Sequence, residues 1–88
     1  MKKKAKISDT HLVIDYQNGN TNVLPFLVKR WHVAFCKLAF FYVKDADVAK
    51  DIAQESWIVI IDKMKEIKEP EKCKSWAISI VNRKATSS

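Results

Sequence analysis

Three observations predict an all-α fold, a small orthogonal or bundled domain of three to four helices. A single glycine and two prolines in 88 residues leave little material for tight hairpins. Lysine, glutamate, alanine and other good helix formers fill the long segments between them. Apolar residues recur at three-and-four spacing, the period of a helix with one buried face. With 48% hydrophobic and 30% charged residues, the chain suits one domain with a modest core. Residues 1–6, with Lys2, Lys3, Lys4 and Lys6, read as a disordered basic tail, and residues 7–88 as the folded domain.

Ser8 or Asp9 can cap a first short helix through Leu12, Val13 and Tyr16. Asn18-Gly19-Asn20 ends it, glycine supplying the left-handed exit. Asn20 to Asn22 offer caps for a second helix. Pro25 must then lie in its first turn, which favours Asn22 as the cap. From Leu24 to Val43 the residues Leu27, Val28, Trp31, Ala34, Phe35, Leu38 and Phe41 or Tyr42 keep helical spacing. Phe26, Val33 and Phe40 widen the stripe, so burial on more than one side is expected, with Phe40 and Phe41 in the core.

Lys44-Asp45-Ala46-Asp47 breaks that pattern, and Asp45 or Asp47 can cap a third helix reaching about Ile67. Its buried stripe is Ala49, Ile52, Ala53, Ser56, Ile60, Met64 and Ile67, while Asp47, Asp51, Gln54, Glu55 and Asp62 fall on another side. Lys68 to Lys74 reads as a charged loop around Pro70 that includes Cys73. Ser75 restarts a fourth helix through Trp76, Ile78, Ile80, Val81 and Ala85. No stop signal precedes Thr86-Ser87-Ser88, as expected of a piece cut from a longer protein.

The formal net charge of +6 is unevenly spread: residues 1–30 carry +4, 31–43 carry +1, 44–71 carry −3 and 72–88 carry +4. An acidic helix between basic segments lets one small domain present opposite fields on different surfaces, which suits different partners, although mixed surface charge also serves solubility. Apolar runs at Leu38–Val43 and Trp57–Ile61 fall far short of the roughly 20 residues of a membrane span. The lysine-rich start lacks the apolar core of a signal peptide, so a cytoplasmic protein is expected. Cys36 and Cys73 form no CxxC and have no paired histidines nearby, so both read as structural or incidental. His11 and His32 stand apart, and no phosphate loop, nucleophile elbow or metal-ligand cluster is present. An enzyme, a metal site and a cofactor are therefore not expected.

Two motifs carry a resemblance. Asp47, Ala49, Asp51, Gln54, Glu55 and Trp57 match an acidic run followed by Gln-Glu and an aromatic residue. Trp76, Asn82 and Arg83 match a tryptophan opening a last helix with Asn-Arg about two turns on. In this order, together with Gly19-Asn20 and Phe26 to Trp31, they resemble region 2 of bacterial sigma factors of the compact extracytoplasmic-function kind, over about residues 11–86. Lys50 departs from the pattern, standing where the family usually has Glu.

The resemblance implies a transcription initiation domain that binds core RNA polymerase and recognises and melts the promoter minus-ten element. The third helix would dock on the clamp coiled coil through Asp47, Asp51, Gln54 and Glu55, with Lys50 weakening the match. Lys72, Lys74, Ser75, Trp76, Asn82, Arg83 and Lys84 would face single-stranded minus-ten DNA: cations for phosphates, Ser75 and Asn82 for hydrogen bonds, Trp76 for stacking. Trp76, with Ile80 four positions on, reads first as a core anchor with a functional edge, and Asn82, amid Ile78, Val81 and Ala85, is equally placed to satisfy a backbone group. An anti-sigma factor is a further implied partner, and the minus-thirty-five-reading domain of the family is not expected within these 88 residues. The alternative is a helical protein-interaction module without DNA binding, which has no need of the basic run after Pro70. A helix-turn-helix repressor would need a short glycine-containing turn that the sequence lacks.

Overall fold

The computed structural model describes residues 8–87, so the lysine-rich tail lies outside the described residues. Four helices follow in order: α1 (Asp9–Gln17), α2 (Leu24–Val43), α3 (Ala46–Lys63) and α4 (Cys73–Ser87). Single 3₁₀ turns lie at Thr21–Val23, Met64–Glu66 and Pro70–Lys72, and no strand occurs among the described residues. The domain is all-α, as the composition requires.

Ser8 caps α1, its hydroxyl accepting the His11 N–H at 3.1 Å, and Gly19 turns the chain out at φ +102°. The second helix corrects the expected cap. Asn20 accepts the Asn22 N–H at 3.2 Å and caps the 3₁₀ turn, after which α2 starts at Leu24 with no side-chain cap and Pro25 in its first turn. The turn supplies the preorganised entry that a cap would otherwise give. α2 stops at Lys44, which takes the left-handed conformation at φ 58° and sends its N–H to the Phe40 carbonyl at 2.8 Å.

α2 packs against α1, α3 and α4. Its buried row is Leu27, Trp31, Phe35 and Ala39, a strict four-residue period. Burial on several sides is not found: Phe26, Val33, Phe40 and Phe41 are 61, 57, 45 and 63% exposed. Each lies off that row by a quarter turn or more, because successive residues are about 100° apart. Trp31 stacks on Trp57 at 6.1 Å between ring centres, and Phe35 tilts against Trp57 at 4.9 Å. These rings join α2 to α3 at the centre of the core.

The buried stripe of α3 is Ala49, Ile52, Ala53, Ser56, Trp57 and Ile60, continued by Met64 in the following turn. Ser56 is accommodated in the apolar interior because its hydroxyl donates to the Ile52 carbonyl at 2.7 Å. α3 ends at Lys63 rather than near Ile67, the chain tightening into the 3₁₀ turn. α4 begins two residues before Ser75. Pro70 opens a 3₁₀ turn instead of an open loop, and Cys73 lies fully buried at the head of the helix.

Candidate polymerase and nucleic-acid surfaces

Asp45 fixes the start of the acidic helix, its carboxylate accepting the Val48 N–H at 3.0 Å. From that start the helical repeat places Asp47, Asp51, Gln54, Glu55, Ile58 and Asp62 in one outward row, opposite the stripe that faces the core. All six are exposed. Among the described residues, no ion pair or side-chain hydrogen bond engages Asp47, Asp51, Gln54 or Glu55. Ile58 is 71% exposed in the middle of this row. Sequence reasoning passed over it, although its position off the 49/52/53/56/60 stripe was the available signal.

One flank of the row meets α2. There His32, Val33, Cys36, Lys37 and Phe40 face Ala46, Ala49 and Lys50 across a mainly apolar groove of about 510 Å³. The His32 Nε2 lies 3.4 Å from the Cys36 Sγ one turn along α2. Burial pushes the Cys36 thiol up from its ordinary range, and the nearby Lys50 charge partly offsets this. Lys50 therefore stands on the rim between the groove and the acidic row.

The other flank of α3 carries Val59 and Lys63, which meet α4. Together with Trp76, Ile80, Arg83 and Lys84 they line a notch of about 340 Å³. Trp76 is half-buried: it packs against the core and also borders the notch, so both readings of that residue have a geometric basis. The sequence-predicted nucleic-acid set divides here. Trp76, Arg83 and Lys84 come together, joined by Lys63, which the sequence reading did not select. Asn82 is half-buried and projects about 100° around α4 from Arg83, away from the notch. Ser75 and Lys74 are exposed at the first turn of α4, and Lys72 is held by Glu69 at 2.9 Å. An exposed pair of this kind is worth about 0–1 kcal/mol, so it yields readily to a phosphate.

Comparison with known proteins bears on this arrangement. The Sigma-70 region 2 family model matches residues 27–88. The RNA polymerase sigma factor SigV of Bacillus subtilis (strain 168) is 43% identical over 51 residues, 58% of this chain and 31% of that protein. The matched part thus spans about a third of the relative's length. No solved structure matches the chain. With the family match running from the first turns of α2 to the end of the chain, this protein belongs to the sigma-70 region 2 family, and its motif order is that of the extracytoplasmic-function type.

Proposed function

We propose that this domain joins core RNA polymerase to opened promoter DNA at the start of transcription, acting in the cytoplasm without catalysis of its own. The outward row of α3 docks on the basic clamp coiled coil. Asp47, Asp51 and Glu55 set orientation and association rate, because exposed ion pairs are each worth about 0–1 kcal/mol. Ile58 and the apolar groove beside Lys50 supply burial that the charges cannot, about 1.5–3 kcal/mol for a fully covered isoleucine. The observation that carries this half is an outward row of Asp47, Asp51, Gln54, Glu55 and Asp62 that has no side-chain partner among the described residues and includes the exposed Ile58.

The notch and the head of α4 take the non-template strand of the minus-ten element. Lys63, Lys72, Lys74, Arg83 and Lys84 neutralise phosphates, Trp76 stacks on a base, and Ser75 gives a hydrogen bond at the head of α4, while Asn82, turned from the notch, stays out of this contact. A captured base returns about 1–3 kcal/mol, close to what its unstacking costs. Opening is thus nearly balanced, and the polymerase contacts tip it. An anti-sigma factor that covers the α3 row would block docking.

The test is capture of core polymerase by the wild-type domain and by Asp51→Arg combined with Gln54→Ala. Capture should fall at least tenfold in the double variant at equal thermal stability. Equal capture by both would remove the α3 assignment.

A further inference from the structure

The side-chain amide of Gln17, at the end of α1, donates to two backbone carbonyls far away in sequence, Met64 O at 3.0 Å and Ile67 O at 2.8 Å. Both amide hydrogens are thereby used. These carbonyls bracket the place where α3 unwinds, and Met64 O also accepts the Ile67 N–H at 3.2 Å. Beyond it the backbone at Ile67 is extended, and regular structure resumes only at the Pro70–Lys72 turn. Helical hydrogen bonding therefore does not fix the direction in which the chain leaves α3 toward Lys72 and Lys74. The Lys65 ammonium, 5.6 Å above the Tyr16 ring, ties α1 to the same turn a second time, and α1 also packs against the Pro70–Lys72 turn.

We infer that Gln17 is a positioning residue for nucleic-acid capture: it holds the link between α3 and α4 in the shape that presents Lys72, Lys74 and the head of α4 to the DNA strand. The inference rests on the reading that this segment faces DNA. It gives α1, which lies outside the family match at residues 27–88, a role in binding through a segment that it braces. A link ordered before binding spares the complex the cost of ordering it.

Gln17→Met keeps the length and apolar stem of the side chain and removes both donors. In this variant the Ile67 and Lys72 amides should exchange with solvent about tenfold faster or more, while amides of α2 keep their wild-type protection. Affinity for a labelled non-template minus-ten oligonucleotide should become less sensitive to abasic substitution scanned along the strand, with an unchanged salt slope because the cations remain. Phe35→Leu, a core change at the Trp57 ring far from the link, controls for lost stability and should leave link exchange and base sensitivity as in the wild type. Wild-type exchange in Gln17→Met, full retention of base sensitivity in it, or the same losses in Phe35→Leu would each overturn the inference. A wild-type domain with no preference for single strand over duplex would instead refute the DNA reading itself, and the exchange measurement would still decide the brace.

Discussion

Asp45 accepts the Val48 N–H at 3.0 Å and so satisfies one of the four donors that the start of α3 leaves open. Asp45→Ala should lower stability by about 1 kcal/mol, seen as a lower urea midpoint at unchanged slope. Cys73 is a second single-residue test, because burial pushes its thiol up to about 11. It should resist alkylation in the folded domain at pH 8 and react only on unfolding, while half-exposed Cys36 labels first. A folded pKa above the unfolded one means that the contribution is whole below about pH 9 and is lost as pH rises through about 11. Alkaline titration should therefore destabilise the domain over that window. At the other extreme, Asp9 is partly desolvated, which raises its pKa. The Trp31 and Arg30 side chains facing it, with Arg30 at 3.0 Å, outweigh this and hold its carboxyl below the ordinary value. Its contribution is present at neutral pH and fades only as pH falls through that lowered value.

At the scale of the element, α3 does two jobs with one helical repeat. The inward stripe closes the core, and the outward row stays exposed, the face proposed to meet a partner. Ile58→Ala should leave thermal stability unchanged, since the side chain is 71% exposed, and weaken polymerase capture by about tenfold, in line with loss of a buried apolar anchor. Lys50→Glu should tighten capture several-fold, because it places a further acid beside Asp51 and Gln54 on the surface proposed to meet a basic partner. Both are read by quantitative pull-down of core polymerase. The sequence places the α4 start two residues late, at Ser75, because Pro70 and the charged residues around it hide a helix that begins at Cys73, whereas it places the α3 end too far, at Ile67. At the end of α3 the 3₁₀ turn Met64–Glu66 continues the helical pattern for three residues without leaving a trace in apolar spacing.

For the whole molecule, α3 separates two unlike surfaces, the acidic row with its apolar groove on one flank and the basic notch shared with α4 on the other. Affinity for single-stranded minus-ten DNA should fall steeply with salt. Arg83→Ala should reduce the slope of log affinity against log salt by about 0.7, the share of one phosphate contact. A fluorescence titration at three salt concentrations measures this, and an unchanged slope would take Arg83 out of the interface.

The sequence alone determined the all-α class, the glycine exit at Gly19, the buried stripe of α3 and the acidic row opposite it, and it narrowed the caps to Ser8 or Asp9 and to Asp45 or Asp47, of which the fold uses Ser8 and Asp45. Each of these is fixed by neighbours within about one helical turn, where dihedral preference and spacing act. Only the tertiary structure decided that Phe40 and Val33 line an open groove, that Trp76, Arg83 and Lys84 meet Lys63 while Asn82 turns away, and that Gln17 reaches Met64 and Ile67 across 47 and 50 residues. Those outcomes depend on which helix lies against which. Hydrophobic burial is non-directional, and the choice among packings is made by the whole core at once.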